Sequence, residues 1–168
     1  MRMNAMGTFA IFAAVVGAAA YVGSRFPPDA WYRRLRKPDW NPPSWVFAPV
    51  WTLLYVAMTF AGWLVWEDAN RVWTSALTFW ALQLLLNMAW TWMFFGRHWI
   101  ALAAADSAAL LAAIGGFMFA AMPINEWAAM LFAPYALWVA FAAALNVAIV
   151  RLADGGRSRA QGAGSGGH

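Results

Sequence analysis

The chain has 168 residues, of which 64% are hydrophobic and only 11% are charged, and its mean hydropathy is +0.57. A soluble domain usually carries about 25% charged residues, so this composition excludes an ordinary soluble protein and indicates a protein embedded in lipid. The formal net charge is +4. Because the basic residues flank apolar runs, they indicate membrane topology and contact with anionic lipid, and not nucleic acid binding. The absence of cysteine from the sequence excludes disulfides and thiolate metal sites.

Five long apolar runs fill almost the whole chain. About 20 apolar residues are needed for a helix to cross the hydrocarbon core. The runs cover residues 6–24, 46–66, 72–95, 99–122 and 127–150. Short separators make successive helices antiparallel, so the sequence predicts an all-α membrane protein, a compact bundle of five transmembrane helices in one domain over residues 1–151. A β-barrel is disfavoured because its strands would alternate apolar and polar residues.

The two ends of the chain need separate interpretation. Arg2, the apolar stretch after it and the alanines at 18–20 resemble a cleaved signal peptide. A membrane span is the favoured alternative, because the apolar run continues through Tyr21 and Val22 beyond the candidate cleavage site. Residues 152–168 are rich in Gly and Ser and are predicted to form a disordered tail.

The segment between the first two runs carries most of the unusual chemistry. Residues 31–45 read WYRRLRKPDWNPPSW, which combines three prolines, four basic residues and four aromatic residues. Proline restricts the backbone, and aromatic side chains can pack over the mouth of a bundle. The composition therefore predicts an ordered loop between helices 1 and 2, and not a plain hydrophilic connection.

Lys and Arg residues are divided unequally between the two ends of the predicted bundle. Only Arg2 and Arg71 lie on the side opposite the loop. The residues on the loop side are Arg25, Arg33, Arg34, Arg36, Lys37, Arg97, Arg151, Arg157 and Arg159. The positive-inside rule therefore predicts a cytoplasmic loop and C-terminus in an inner membrane, whereas an outer-membrane protein would not follow that rule.

Three of the predicted helices each carry a row of aromatic or amide side chains. The rows are Trp51, Tyr55 and Thr59; Gln83 and Asn87; and Tyr135, Trp138, Ala142 and Asn146. Residues at these spacings share a helix face. Taken singly, each row is best explained by core packing, and the amide pair by hydrogen bonds between helices. If the rows converge, they form an apolar pocket with a few polar groups, which is typical of a small-molecule site.

Alanine dominates the fourth run. Two adjacent rows contain Ala101, Ala105, Ala109 and Ala113, and Ala104, Ala108, Ala112 and Gly116. Small residues let helices approach closely, so this helix is predicted to pack tightly inside the bundle or against another subunit. Asp106 lies in the same run, and a carboxylate there needs a hydrogen-bond partner or contact with interfacial water.

Catalytic templates are absent from the sequence. It has no paired carboxylates, no nucleophile and base at a suitable spacing, and no glycine-rich phosphate loop. His98 and His168 are the only histidines, and neither has neighbours that suit a metal site. No metal site is therefore predicted.

The motifs resemble those of one known family. The residues that carry the resemblance are Trp31, Tyr32, Leu35, Lys37, Pro38, Trp40, Pro42, Pro43, Trp45, Phe47, Pro49, Trp51, Thr52 and Tyr55, then Asn87 to Trp90 with Phe94, Phe95 and Gly96, then Asp106, and finally Pro134 to Trp138 with Leu145 and Asn146. Their spacing is similar to that of the tryptophan-rich sensory protein/translocator protein (TspO/MBR) family, which includes the peripheral-type benzodiazepine receptor. The resemblance covers residues 6–151.

The resemblance implies a five-helix bundle, usually a homodimer, whose first loop closes as a lid over a pocket. Members of that family bind porphyrins and related tetrapyrroles, and many bind sterols and benzodiazepine-type drugs. The implied ligand is a porphyrin of the protoporphyrin IX type, with no cofactor required. The implied ligand-binding residues are Trp31, Tyr32, Trp51, Tyr55, Asn87, Trp138 and Ala142.

The resemblance leaves three functions open: a tetrapyrrole sensor, regulator or transporter; a light-dependent porphyrin-degrading enzyme; and a scaffold stabilised by its ligand. For the enzyme, Trp51 and Trp138 are the candidate redox residues. Binding is favoured because no acid, base or cofactor motif accompanies the aromatics. The stretch around Val147 lacks the Tyr of the family's cholesterol-recognition pattern, which argues against specific sterol binding and suits a bacterial cell membrane.

Overall fold

The computed structural model describes residues 4–27 and 29–164, and for residues 153–164 it describes the backbone alone. All regular secondary structure in these ranges is helical, which confirms the predicted all-α class. The helices are α1 (Ala5–Ser24), α2 (Ala30–Arg34), α3 (Phe47–Asp68), α4 (Ser75–Thr91), α5 (Ile100–Ala121), α6 (Glu126–Leu131) and α7 (Ala133–Gly164). A 3-10 turn (Ser44–Val46) leads into α3, and a π-helical segment (Trp92–Gly96) follows α4 directly.

Four helical stretches are long and apolar enough to cross a membrane. They are Ala5–Ser24, Ser44–Asp68, Ile100–Ala121 and Glu126–Leu152. The chain is thus a multi-pass membrane protein by length and composition. The helix α4 lies between the second and third of these stretches and has 17 residues, and the π-helical segment continues it to Gly96.

Three helix boundaries differ from the sequence-based prediction. The helix α7 continues to Gly164, beyond the predicted end at residue 150. The other two differences have a local reason. The third run was predicted from residue 72, but α4 begins at Ser75 because the Thr74 hydroxyl accepts a hydrogen bond from the Leu77 amide (3.4 Å) and caps the helix. The last run is divided between α6 and α7 at Phe132. Pro134 explains that break, because proline has no amide hydrogen to continue the helical bonding.

The long helices pack around one apolar core. The helix α1 packs on α3 and α4, α4 packs on α5, and α5 packs on α7. The largest fully buried side chains include Met58, Val65, Leu77, Ile114, Phe117, Phe132 and Tyr135. A direct polar tie also joins α4 to α3, since the Trp80 indole Nε1 donates to the Met58 carbonyl at 2.8 Å. These contacts place α3, α4 and α7 around a shared interior.

The alanine face of α5 is largely uncovered in the described part of the chain. Ala101, Ala105, Ala108, Ala109 and Ala112 are all exposed. The helix α5 instead turns Ser107, Leu110, Ile114 and Phe117 towards the core. Packing inside the bundle therefore does not account for this face, and contact with another subunit stays a prediction.

Parts of the sequence-based interpretation concern residues that the structure does not describe. Arg2 lies outside the described residues, as do the side chains of Arg157 and Arg159. Most of the predicted disordered tail, residues 152–168, also lies outside the described side chains. The disorder of that tail therefore stays a prediction.

Gly62 lies where α3 packs closely against side chains of α1 and α4, and replacing it should destabilise the bundle. A Cβ at this position would lie 2.6 Å from the Trp80 ring and 2.8 Å from the Phe12 ring. We expect Gly62→Ala to lower the free energy of unfolding by about 1–3 kcal/mol, as overpacking usually does. The measurement is thermal unfolding in detergent followed by circular dichroism.

The matched control is Gly115→Ala on α5, where a Cβ would meet nothing within 4 Å. Alanine is the better helix former, so this change should be neutral or stabilise by about 0.5–1 kcal/mol. Equal melting temperatures for the two variants would contradict the close approach at Gly62.

Candidate functional site

A hydrogen-bond network of four side chains joins α3, α4 and α7 in the bundle interior. The Tyr55 hydroxyl donates to Asn87 Oδ1 (3.4 Å), and Asn87 Nδ2 donates to the Tyr135 hydroxyl (3.1 Å). The Tyr135 hydroxyl in turn donates to Gln83 Oε1 (3.0 Å). The structure therefore brings together the three rows that the sequence placed on separate helices.

This interior network satisfies most of its own polar groups. Asn87 uses both ends of its amide, and Tyr135, which is fully buried, both donates and accepts. Gln83 is also fully buried, yet its Nε2 has no hydrogen-bond partner among the described residues. An unsatisfied buried donor costs about 1–3 kcal/mol. The amide pair is thus bonded between helices, as packing predicts, and retains one free donor.

An aromatic cavity of about 360 Å³, here called the inner cavity, opens between α1, α3 and α4 next to this network. Its wall contains Ala20, Gly23, Ser24, Phe26, Pro27, Phe47, Ala48, Trp51, Tyr55, Trp90, Thr91 and Phe95. The Trp51 ring lies 5.5 Å from the Tyr55 ring and edge-on to the Tyr135 ring at 6.3 Å. Trp90 Nε1 is buried without a hydrogen-bond partner among the described residues. The cavity therefore combines aromatic faces with a few polar groups.

A second space of about 600 Å³, here called the outer groove, lies between α3 and α7. Its wall contains Pro42, Val50, Leu53, Leu54, Ala57, Pro134, Leu137, Trp138 and Phe141. Leu53 and Leu137 are strongly exposed there, so the groove is open along its side. The wall has no charged residue, and such a surface suits an apolar ligand or a lipid chain.

Phe47 separates the two spaces. Its side chain lines the inner cavity, and its ring packs edge-on against Trp138 at 5.6 Å. Trp51 and Trp138, which the sequence assigned to one pocket, consequently line different spaces. The sequence motif contained Phe47 without giving it a role. Its position four residues before Trp51 on the same helix face was the available indication.

Trp31 and Tyr32 lie over the end of α4 and line neither space. The buried Tyr32 ring packs edge-on against Phe94 (6.0 Å) and Phe95 (5.4 Å) in the π-helical segment. The Trp31 ring stacks on the His98 imidazole, with centroids 3.9 Å apart and planes 17° apart. The first half of the loop is thereby attached to the junction between α4 and α5.

The Asp29 carboxylate holds the first half of the loop through contacts of both its oxygens. Its Oδ1 accepts a hydrogen bond from the Tyr32 amide (2.9 Å) and caps α2, while Oδ2 lies 3.3 Å from His98 Nε2. The Tyr32 amide, and then His98, hold the pKa of the Asp29 carboxyl below its ordinary value of 3.8. Lys37 Nζ donates to the Tyr32 carbonyl (2.5 Å) and lies 4.3 Å from the Tyr32 ring centroid. Its partial burial lowers the pKa of Lys37.

The second half of the loop reaches α7. The Trp40 ring packs edge-on against Phe141 at 5.6 Å, and Pro42 lines the outer groove. Ala142, the remaining predicted ligand residue, is half-buried on α7 and lines neither space. The structure therefore gathers Trp51, Tyr55 and Asn87 at the inner cavity and its network, and separates the other predicted ligand residues from them.

The fold and the site together define a multi-pass α-helical membrane protein with an aromatic cavity beside a buried tyrosine–amide network. Comparison with known families agrees with this class. The TspO/MBR family model matches residues 9–152, and the chain belongs to that family.

Named relatives extend over most of the chain. The tryptophan-rich sensory protein of Cereibacter sphaeroides is 40% identical over 144 residues, which cover 86% of this chain and 90% of that protein. Protein CrtK of Rhodobacter capsulatus is 34% identical over 149 residues, with 88% and 93% covered. The translocator protein of Homo sapiens is 37% identical over 137 residues, with 78% and 81% covered.

Removing the Asp29 carboxylate should loosen the first half of the loop in a pH-dependent way. Because the folded-state pKa of Asp29 is depressed, its contribution is present above about pH 3.8 and is lost as the pH falls through the folded value. We expect Asp29→Asn to speed amide hydrogen exchange in α2 at pH 6, and the ratio of variant to wild-type exchange to approach one as the pH falls below about 3.8. Hydrogen-exchange mass spectrometry provides the measurement.

Asp39→Asn is the matched control, since it removes an exposed carboxylate from the same loop. If both substitutions speed exchange in α2 equally, the loop responds to its net charge and not to the Asp29 cap.

Proposed function

We propose that this protein binds tetrapyrroles in the membrane and acts in the sensing, regulation or transport of porphyrins. The observation that carries the proposal is the inner cavity, where the faces of Trp51 and Tyr55 lie beside Asn87. A flat macrocycle can stack on such faces, and stacking contributes about 0.5–1.5 kcal/mol beyond the burial of apolar area. The amides and the unpartnered Trp90 Nε1 supply directional hydrogen bonds.

The ligand in this proposal occupies the inner cavity and the adjoining part of the outer groove. Small-molecule sites usually enclose about 300–1,000 Å³, and the two spaces hold about 360 and 600 Å³ on either side of Phe47. Rotation of the Phe47 ring away from Trp138 would join them. Trp51 and Trp138 would then face the same ligand from two helices.

The finer architecture is part of the same proposal. Five passes are formed by α1, α3, α4 with its π-helical extension, α5, and α6 with α7. The continuous helical course over residues 75–96 supports counting α4 as a pass, because it has about the length that spans a bilayer. The loop between α1 and α3 acts as an ordered lid. Its contacts to Phe95 and Phe141, on opposite sides of the bundle, support that role.

The porphyrin propionates would point towards the loop end of the bundle. Exposed basic residues surround that end, and guanidinium groups pair well with carboxylates. The exposed residues proposed to pair with the propionates are Arg25, Arg33, Arg34, Arg36 and Arg151. Benzodiazepine-type drugs, which are aromatic and uncharged, would use the inner cavity without these contacts.

We further propose that the protein is a homodimer in a bacterial cell membrane. The uncovered alanine face of α5 supports a dimer, because small residues allow two helices to approach closely in lipid. An outer-membrane location is the alternative, and the distribution of Lys and Arg favours insertion in an inner membrane.

Light-dependent degradation of the bound porphyrin is the second candidate function. It is favoured by the position of Trp51, whose oxidisable indole lies against the Tyr55 and Tyr135 rings. Binding without catalysis is preferred, because the described residues offer no acid or base beside the cavity that matches a catalytic template.

Conservative replacement of the two tryptophans separates binding from catalysis. We expect Trp51→Phe and Trp138→Phe to weaken protoporphyrin IX binding by up to about 10-fold, because an aromatic face remains. Purified protein is titrated in the dark by fluorescence, and the porphyrin spectrum is then followed in light. Phenylalanine is much harder to oxidise than indole, so a loss of light-driven turnover with retained binding would establish the enzyme.

The control is Trp127→Phe, which changes an exposed indole at the other end of the bundle. Phe47→Ala should speed porphyrin association, and Phe60→Ala, at an exposed position on the same helix, should leave it unchanged. Absence of saturable porphyrin binding by the wild type would contradict the proposed function. Saturable binding with equal association rates in the two Phe variants would contradict only the division of the site by Phe47.

The proposed topology places the N-terminus outside and the C-terminus in the cytoplasm. The loop end carries nine of the eleven basic residues of the chain, and such residues are retained on the cytoplasmic side. A reporter enzyme that functions only in the cytoplasm should be active when it is fused after residue 168. A reporter that functions only in the periplasm should be inactive there. Activity of a periplasm-dependent reporter at that position would indicate an even number of passes or a different membrane.

A further inference from the structure

The guanidinium of Arg97 packs against two indole rings at the junction of α4 and α5. Its guanidinium carbon is 5.5 Å from the Trp92 ring centroid and 5.2 Å from the Trp99 ring centroid. The two indoles are themselves in contact, with centroids 5.5 Å apart and planes at 79°. Contacts of this kind attract a cation to the ring faces and restrict its position. Arg97, Trp92 and Trp99 are here called the indole clamp.

The backbone keeps the indole clamp in this arrangement. The Arg97 amide donates to the Trp92 carbonyl (3.0 Å), and the Trp99 amide donates to the Met93 carbonyl (2.9 Å). His98, between them, has a φ of 59°, in the left-handed region that few residues other than glycine adopt. Its side chain is retained by Asp29 and Trp31. The turn that carries Arg97 is therefore held by its backbone hydrogen bonds and by the contacts of the His98 side chain.

The guanidinium of Arg97 has hydrogen-bond donors to spare. Ring contacts use the attraction of the cation and leave its planar N–H donors available. No hydrogen bond from the Arg97 side chain occurs among the described residues, and neither of the two ion pairs found there, Arg71 with Glu67 and His98 with Asp29, includes Arg97. The matching acceptor for such a planar group is a phosphate or carboxylate that binds two N–H groups at once.

The location of the indole clamp identifies the source of that acceptor. Trp92 and Trp99 are 41% and 45% exposed, and they lie where the apolar course of α4 ends and that of α5 begins. Tryptophan is enriched at this depth, where the phosphates of lipid headgroups lie. Arg97 lines neither the inner cavity nor the outer groove, so the porphyrin proposed for those spaces does not supply the anion.

We propose that the indole clamp is a binding site for the phosphodiester headgroup of an anionic phospholipid. Arg97 binds the phosphate oxygens, and the two indole rings pack against the glycerol and the first carbons of the acyl chains. Charge complementarity favours a headgroup without a cation, because this end of the bundle is strongly basic: Arg25, Arg33, Arg34, Arg36 and Lys37 share it with Arg97. The site is independent of the tetrapyrrole proposal.

The test uses the purified full chain in detergent and dihexanoylphosphatidylglycerol as the probe, with bound lipid counted by native mass spectrometry. We expect Arg97→Gln to weaken the tightest binding step by about 10-fold, the usual effect of losing a charged hydrogen-bonding partner. Arg97→Lys should bind the lipid with an affinity between those of the wild type and Arg97→Gln, since lysine keeps the charge and lacks the planar arrangement of N–H donors. Arg33→Gln is the matched control, because it removes an exposed arginine from the same end without an indole neighbour.

Three further arms distinguish the sources of the phosphate and guard against misfolding. Dihexanoylphosphatidylcholine should bind more weakly, and inorganic phosphate at the same concentration should not displace the lipid. Trp92→Leu should weaken lipid binding with unchanged helix content, which keeps the test decisive if Arg97→Gln fails to fold. Equal lipid binding by Arg97→Gln and Arg33→Gln, equal affinity for the two lipids, or displacement by free phosphate would each overturn the proposal.

Discussion

The hydroxyl of Tyr135 is the group through which three helices of the bundle satisfy their polar side chains away from water. It accepts from Asn87 on α4 and donates to Gln83 one turn earlier on the same helix, while Tyr55 reaches Asn87 from α3. In lipid a polar side chain must find such a partner inside the protein. This requirement fixes the rotation of α3, α4 and α7, and so determines which aromatic faces line the inner cavity. The inner cavity is the space that remains beside these helices when they are rotated so that their polar side chains are hydrogen-bonded.

The contacts between the helices and the contacts that attach the loop differ in strength. At Gly62 the α3 backbone lies so close to the Trp80 and Phe12 rings that an added Cβ would clash with both. The loop is attached by ring stacking and by hydrogen bonds near the surface, each worth about 1 kcal/mol. The bundle is thus rigid where the network lies, whereas the loop above it rests on several separate weak contacts. A rearrangement of the loop would therefore disturb few of the contacts between the helices.

The sequence predicted the features that follow from hydropathy and spacing. Apart from the end of α7, the apolar runs predicted the ends of the long helices to within a few residues, because lipid demands continuous apolar segments, and the i, i+4 spacing predicted the faces of Trp51 and Asn87. It could not predict that Trp138 lies beyond Phe47, since the distance between residues on different helices depends on how those helices pack. The place of Tyr32 was also hidden, because a loop conformation rests on tertiary contacts such as those to Phe94 and Phe95.

The π-helical segment at the end of α4 connects that helix to the loop between α1 and α3. Two consecutive rings of this segment, Phe94 and Phe95, pack against Tyr32. The same segment carries Trp92, which is 41% exposed on the surface of the bundle. A helix that tilts to match a thicker or thinner bilayer moves its ends most. If α4 is the fifth pass proposed above, such a tilt would move Phe94 and Phe95, and with them the Tyr32 end of the loop, so the position of the loop would depend on membrane thickness.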